Sequence, residues 1–296
     1  EVLNLMISEG ELDEEQKSII TTLIDDVSKV NDDFKKSIPE DSVQIQLDFT
    51  DEPEVKEEPK FEFTAPTPVK KEKVRPNILY PEIPSSERNN FVITDDNLGV
   101  GAPLERYENN VAAIRLLKKL ESEKRLATPE EQEVLSRYVG WGGLADCFDE
   151  QHSKYLELKS LLDETEYEAA RESTLTAFYT PPVVIRSMYK ALENMNFKTG
   201  NILEPSCGIG NFMGMLPESL GSSKIYGIEL DSISSRIAQQ LYQNSSIASR
   251  GYEATDLPDS FFDCAIGNVP FGQFKVLDKR YDKHNFLIHD YFFART

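Results

Sequence analysis

Glycines and carboxylates occur together at two points in the C-terminal half of the sequence. Residues 204–210 read Glu-Pro-Ser-Cys-Gly-Ile-Gly, and Glu229 lies 19 residues beyond Gly210. Glycine lets a loop pass close beneath a ligand where a Cβ atom would clash. A carboxylate at this distance can accept hydrogen bonds from both hydroxyls of a ribose. The pattern therefore predicts a site for a nucleoside-like cofactor.

Two details of this pattern bear on the choice of cofactor. Gly208, Gly210 and Gly214 are spaced as Gly-x-Gly-x-x-x-Gly, whereas a dinucleotide-binding loop has Gly-x-Gly-x-x-Gly. Glu204 places a carboxylate just before the loop, which suits a ligand with a positive amino group and no pyrophosphate. The glycines and Glu229 alone leave a dinucleotide open, but Glu204 favours S-adenosylmethionine. A tight turn without a ligand is the structural alternative.

A second group of residues that could do chemistry is the run Asn268-Val269-Pro270-Phe271, which resembles the Asn-Pro-Pro-Phe/Tyr signature of amino-methyltransferases. The exocyclic nitrogen of adenine is a poor nucleophile because its lone pair is delocalised into the ring. Asn268 Oδ1 and the backbone carbonyl of Val269 are two acceptors that could draw its N–H bonds towards tetrahedral geometry. Phe271 offers a face on which a flipped base can stack. Methyl transfer would then need mainly positioning for in-line attack.

The elements that must position these residues follow from the pattern of residues 174–296. Strand–turn–helix units at this spacing indicate an α/β fold with a parallel, doubly wound sheet. Ligands bind beyond the carboxyl ends of the strands in such sheets, and the residues described above lie at those ends. We predict strands at 201–204, 224–229 and 261–267, a weak strand at 250–254, and helices from Thr180-Pro181-Pro182 to about Glu193 and over 232–244.

A helical segment is predicted before the sheet. In Thr128-Pro129-Glu130-Glu131, Thr128 can be the N-cap and Glu131 can close a capping box, with proline at N1. The glycine-flanked Trp141 beyond this helix is a candidate binding surface, although packing between close backbones is the preferred interpretation. The segment covers residues 101–173, with helices at 108–126, from 129 towards Tyr138, and at about 153–172.

The distribution of charge decides what the overall composition means. The 296 residues have a formal net charge of −20, which taken whole argues against a nucleic-acid partner. Residues 1–68 alone carry −13, and eight of the sixteen prolines lie between Pro39 and Pro84. We therefore predict that residues 1–100 are a largely disordered acidic tail and Pro-rich linker, with one helix near 12–30. Residues 171–296 carry only −1, so their charge does not exclude nucleic acid.

Other classes of protein are disfavoured by the sequence. No stretch of about 18 apolar residues occurs, which argues against a membrane span. The three cysteines form no Cys-x-x-Cys pair and the three histidines form no cluster, so no metal site is predicted. This use of cysteine fits a reducing cytoplasm.

The ordered set of motifs resembles the gamma-class N6-adenine DNA methyltransferases. The resemblance is closer to the methylase portion of the large methylase–helicase proteins of conjugative elements and phages, and it covers about 105–296. Asn268-Val269-Pro270-Phe271 is similar to the family's Asn-Pro-Pro-Phe/Tyr signature. The other matching runs are Asn109-Asn110-Val111-Ala112-Ala113, Tyr138-Val139-Gly140-Trp141-Gly142-Gly143, Phe178-Tyr179-Thr180-Pro181-Pro182, residues 204–210 and His289-Asp290-Tyr291-Phe292-Phe293.

The resemblance implies a Rossmann-like S-adenosylmethionine-dependent methyltransferase domain over 174–296. It implies DNA as substrate, a downstream helicase region in the same polypeptide, and the cytoplasm of a bacterial or phage-infected cell as location. The catalytic residues it implies are Asn268, Val269, Pro270 and Phe271. The cofactor-binding residues it implies are Tyr179, Thr180, Pro181, Glu204, Ser206, Cys207, Gly208, Gly210, Phe212, Glu229 and Asp256.

Two departures from the family pattern qualify these expectations. Val269 stands where the signature has proline, which keeps the carbonyl acceptor but loses the fixed φ and adds an N–H. The sequence ends 28 residues after Asn268, with four strands predicted where the family sheet has about seven. We therefore expect an internal fragment with part of the catalytic domain and weak or no turnover by itself, and we expect the DNA-reading region to come later.

Two alternatives remain open. Similar Asn-Pro-Pro-Tyr loops serve enzymes that methylate a protein glutamine or an RNA base, since each presents a planar amide or amino group. A non-catalytic cofactor-binding module of a larger DNA-processing protein is the second alternative. A nicotinamide-dependent oxidoreductase is disfavoured because that chemistry does not require Asn268-x-Pro-Phe.

Overall fold

The computed structural model describes residues 77–175 and 179–296. The predicted tail helix near 12–30 and most of the predicted linker lie outside these ranges. The helices and strands in chain order are α1 (Pro103–Glu123), α2 (Pro129–Leu135), α3 (Tyr155–Leu161), α4 (Glu164–Glu172), α5 (Pro182–Asn194), β1 (Asn201–Glu204), α6 (Asn211–Gly214), β2 (Lys224–Glu229), α7 (Ser232–Leu241), β3 (Ser246–Ser249), β4 (Cys264–Ala265) and α8 (Ile288–Arg295).

The strands form a parallel sheet in the order β3-β2-β1-β4. Leu203 of β1 is opposite Tyr226 of β2 on one side and Ala265 of β4 on the other. The chain winds outward from β1 to β3 and then crosses to β4 on the far side of β1. A change of winding direction of this kind creates a crevice at the carboxyl edge between β1 and its neighbour. The predicted Rossmann-like α/β fold class is confirmed.

Two hydrophobic clusters cover the two faces of the sheet. Ile202 belongs to the larger cluster, together with Ile114 and Leu117 of α1, whereas Leu203 belongs to the smaller cluster with Tyr291 of α8. Successive residues of a strand point to opposite faces, which explains this division. The helical segment before the sheet therefore shares a core with one face of the sheet.

The local signals of the helical segment are confirmed. Thr128 caps α2: its hydroxyl accepts from the Glu131 N–H and the Glu131 carboxylate accepts from the Thr128 N–H. The helix ends at Leu135, three residues before the predicted limit. Trp141 is 1% exposed and packs edge-on against Phe148, so the packing interpretation is correct and the surface interpretation is wrong.

Several predicted boundaries are wrong. The helix predicted over 153–172 is two helices, because Asp163 forms its own capping box with Glu166 and begins α4. The weak strand predicted at 250–254 lies instead at Ser246–Ser249, where it pairs with β2. The strand predicted at 261–267 is reduced to Cys264–Ala265. No helix in the described ranges is long and apolar enough to cross a bilayer.

Candidate functional site

Three predicted site residues meet at the carboxyl edge of the sheet. Glu204 ends β1, Glu229 ends β2, and Asn268 follows β4 by three residues. Because β1 lies between β2 and β4, Glu204 lies between Glu229 and Asn268 along this edge. Ser206 Oγ also donates a hydrogen bond of 2.9 Å to the Asn268 carbonyl, which joins the glycine loop to the Asn268 loop.

Glu204 is a buried carboxyl whose hydrogen-bonding capacity is only partly used. Its side chain is 2% exposed, and Oε2 has no hydrogen-bond partner in the described chain. Burial raises the pKa of Glu204 well above its usual range, and the Glu229 carboxylate raises it further. An unpaired buried polar atom is costly. The site therefore suits a ligand that brings a donor or a positive charge to Glu204.

Glu229 ties the glycine loop to the end of β2. Gly208 N donates to Oε2 at 2.7 Å and Asp231 N donates to Oε1 at 2.8 Å. Burial raises the pKa of Glu229 to about 7, and these backbone N–H groups partly oppose that rise. Each carboxylate oxygen has two lone pairs, so Glu229 can also accept from ligand hydroxyls.

Two tyrosines explain why the loop carries glycines at 208 and 210. A Cβ on Gly208 would lie 2.5 Å from Tyr179 Cε1, and a Cβ on Gly210 would lie 2.4 Å from Tyr242 Cε2. Both glycines also have positive φ, of +55° and +86°. The space that the glycines leave is thus filled by aromatic rings of the protein. Tyr179 consequently lies directly on the glycine loop.

The remaining predicted cofactor residues occupy different environments. Cys207 is 4% exposed and Phe212 is 3% exposed, so both belong to the core beneath the loop. Thr180 is partly buried and Pro181 precedes α5, where its carbonyl accepts from Val184 N at 3.0 Å. Asp256 is exposed in the segment that follows β3. Its side chain has no hydrogen bond in the described chain.

The Asn268 loop presents the side chains of Asn268 and Phe271 to solvent. Asn268 is exposed, and its side-chain amide has no hydrogen-bond partner among the described residues. Val269 packs against the smaller hydrophobic cluster, and Pro270 is partly buried. Phe271 is 67% exposed, with its ring 6.2 Å from that of His289. An exposed amide and an exposed aromatic face are therefore available beside a buried carboxyl.

Residues that the sequence did not single out as site residues support this site. The Tyr179 hydroxyl is 3.2 Å from Ser234 Oγ, and Asp231 caps α7 by accepting from Ser234 N at 2.8 Å. Burial raises the pKa of Tyr138, from the helical segment, well above its usual range, and the Ser234 side chain opposes that rise. The Asp231 cap was readable from its position before an apolar-periodic helix. Tyr138 carried no such signal because its partner is distant in sequence.

Asn110 holds the turn that carries Tyr138. Its Nδ2 donates to the Gly140 carbonyl at 2.6 Å, and its Oδ1 accepts from Val139 N at 2.9 Å. The Arg106 guanidinium donates to the Gly142 carbonyl of the same turn. The described residues contain no group of three or more His, Cys, Asp or Glu side chains arranged to hold a metal ion.

No family model matches the chain. Defense against restriction protein B of Escherichia phage P1 is 29% identical over 169 residues, which are 56% of this chain and 6% of that protein. Type II methyltransferase M.CvrRI of Paramecium bursaria Chlorella virus XZ-6E is 33% identical over 94 residues, which are 32% of this chain and 24% of that protein. Modification methylase CviBIII of Paramecium bursaria Chlorella virus NC1A is 28% identical over 102 residues, which are 34% and 27% of the two chains.

The chain thus spans about a quarter or less of the length of these relatives. A crystal structure from Listeria monocytogenes, described as a class I S-adenosylmethionine-dependent methyltransferase, covers 64% of this chain and 69% of its own at 14% identity. The TM-score of this match is 0.34. The chain is similar to viral methylases and to a phage protein of defence against restriction, which confirms the resemblance to methylases that its motifs predict.

Proposed function

We propose that this chain carries the cofactor site and the catalytic loop of an S-adenosylmethionine-dependent methyltransferase acting on the N6 amino group of adenine in DNA. The observation that carries the proposal is the pairing of two features at one sheet edge. The loop with the exposed Asn268 and Phe271 side chains is hydrogen-bonded through Ser206 to the loop that follows the buried Glu204.

The residues at this edge fit S-adenosylmethionine. Glu204 Oε2 is buried and unpartnered, and the amino group of the cofactor would give it a charged donor. Glu229 would accept from the ribose hydroxyls and Asp256 would accept from the amino group of the cofactor's adenine. Tyr179, Thr180 and Pro181 would cover the methionine end. When bound, the cofactor supplies an electrophilic methyl group on a sulfonium.

The Asn268 loop would hold the target amino group. Asn268 Oδ1 and the Val269 carbonyl would accept hydrogen bonds from the two N–H groups of the target amino group. These hydrogen bonds would localise the lone pair of its nitrogen for attack on the methyl group. The exposed ring of Phe271 would stack on the planar base. The hydrogen bond from Ser206 to the Asn268 carbonyl fixes this loop relative to the cofactor loop. In this arrangement the protein contributes mainly position and orientation.

The relatives support the choice of DNA as substrate. Two are viral methylases, described as type II and as a modification enzyme, and the third is a phage protein of defence against restriction. The proposal includes a helicase region in the same polypeptide and a location in the cytoplasm of a bacterial or phage-infected cell. It also divides the chain into an acidic tail and linker (1–100), a helical segment (101–173) and part of the methyltransferase domain (174–296).

The decisive experiment measures N6-methyladenine by mass spectrometry in DNA from cells that express the complete gene. We expect Asn268→Ala to lower N6-methyladenine by at least about a hundredfold, since it removes an acceptor of the target amino group. Asn194→Ala, at the exposed end of α5, is the matched control and leaves methylation unchanged. Undiminished N6-methyladenine with Asn268→Ala contradicts the catalytic role.

Calorimetry separates cofactor binding from catalysis. We expect the chain to bind S-adenosylmethionine rather than NAD, and Asn268→Ala to retain that binding. Methylated glutamine in protein, or methylated RNA bases, in place of N6-methyladenine would assign the same chemistry to another substrate. Cofactor binding with no methylated product of any kind would indicate a non-catalytic module.

A further inference from the structure

The segment that follows the catalytic loop, residues 271–285, exposes large apolar side chains. Phe271 is 67% exposed, Phe274 is 52% exposed and Leu277 is 86% exposed. These three side chains, which we call the apolar patch, lie within a run of seven residues, and grouped exposed apolar side chains mark interaction sites. The patch begins at the Asn268 loop, so its partner would lie beside the target base.

The same segment carries a local excess of positive charge. Its cations are Lys275, Lys279, Arg280 and Lys283, and its acids are Asp278 and Asp282. Asp278 is neutralised within the protein by ion pairs with Arg280 and with Arg295 of α8. Lys279 and Lys283 are exposed and have no ion pair or hydrogen bond among the described residues. Two unpaired cations thus accompany the apolar patch.

A buried cluster fixes the segment in place. Asp278 is 6% exposed, and it accepts from Arg280 Nε and from the Tyr291 hydroxyl, each at 2.8 Å. These donors hold the pKa of Asp278 far below its usual range. Arg295 Nη2 donates to the Thr255 carbonyl at 2.7 Å, which ties α8 to the segment before Asp256. The exposed cations and aromatic rings therefore belong to a segment that Asp278 and its hydrogen bonds hold in place.

We infer that residues 271–285 form a contact surface for the phosphate backbone of DNA next to the target adenine, with Lys279 and Lys283 as phosphate contacts. Aromatic rings interleaved with cations suit a nucleic-acid strand, since bases stack on the rings while the cations neutralise phosphates. This inference rests on the proposed function for the choice of DNA. It places a DNA-contacting surface within this chain.

The experiment uses the chain 1–296 and a fluorescein-labelled 20-base-pair DNA duplex. The test variant is Lys279→Glu/Lys283→Glu, which spares Lys275 because Lys275 Nζ donates to Asn285 Oδ1 within the segment. The matched control is Lys198→Glu/Lys224→Glu, with the same change of charge at the amino edge of the sheet, where both lysines are exposed. Binding is measured by fluorescence anisotropy at several salt concentrations.

We expect the test variant to bind the duplex about tenfold more weakly than the control, and its slope of log K against log salt to be smaller by about 2. Equal weakening by both variants overturns the inference, because it would report overall charge alone. A wild-type chain without salt-dependent DNA binding, or with tighter binding to RNA of the same sequence, also overturns it. S-adenosylmethionine binding is measured in parallel: its absence in wild type contradicts the proposed function, whereas the DNA comparison decides the role of the segment.

Discussion

Glu204 and Glu229 end adjacent parallel strands; Glu204 is buried and Glu229 is partly buried, and the pKa of Glu204 is raised by its burial and further by the charge of Glu229. The Glu229 oxygens accept from two backbone N–H groups, whereas Glu204 Oε2 accepts from none in the described chain. The pair is thus asymmetric: one acid organises the loop, and the other is left for a ligand. A protein that only needed a stable turn would not require the second acid.

This pair predicts how stability depends on pH. The pKa of Glu229 is raised from 4.5 to about 7, so between these values the folded state binds more protons than the unfolded state. The contribution of Glu229 to stability is therefore fully present below about pH 4.5 and is lost as pH rises through this window. We expect Glu204→Gln to make the fall between pH 5 and 8 shallower, since it removes one of the two raised groups. Thermal denaturation over this pH range measures the slope.

The control for this prediction is an exposed glutamate. Glu218→Gln, in the turn before β2, should leave the pH slope as in wild type. The explanation is wrong if Glu204→Gln shows the same slope as wild type and Glu218→Gln.

The contact between Gly208 and Tyr179 predicts a coupled pair of mutations. Gly208→Ala places a Cβ 2.5 Å from the Tyr179 ring at a φ of +55°, so we expect it to destabilise the fold by about 2 kcal/mol. In a Tyr179→Ala background the ring is absent, and the cost should fall to about 1 kcal/mol for the backbone alone. Urea denaturation of the four proteins of the cycle gives both values. An unchanged cost would show that the ring does not require the glycine.

Asn110 and its neighbour Asn109 provide a matched comparison. Asn110→Ala removes two hydrogen bonds from a fully buried side chain to the turn that carries Tyr138, so we expect a loss of about 2–3 kcal/mol. Asn109 is adjacent and makes no side-chain hydrogen bond in the described chain, and Asn109→Ala should change stability by about 0.5 kcal/mol or less. Equal effects in urea denaturation would contradict this role for Asn110.

Local signals in the sequence predicted many elements correctly. The capping box at Thr128 and the apolar runs of β1 and β2 depend on neighbouring residues, so they are readable without the fold. The strand Ser246–Ser249 was wrongly placed at 250–254 because its Ser-Ile-Ala-Ser sequence lacks an apolar run. Its strand conformation comes from pairing with β2, a contact between distant parts of the chain.

The sequence by itself determined the residue types and order of the site: Glu204 before a glycine turn, Glu229 after the next strand, and Asn268-x-Pro-Phe beyond β4. Parallel strands bring such residues to one edge, which is why this placement was predictable. Only the tertiary structure decided that Glu204 Oε2 is buried without a hydrogen-bond partner in the described chain, that Tyr179 fills the space over Gly208, and that Asp278 anchors residues 271–285. Burial and pairing depend on residues far apart in sequence, and no local pattern specifies them.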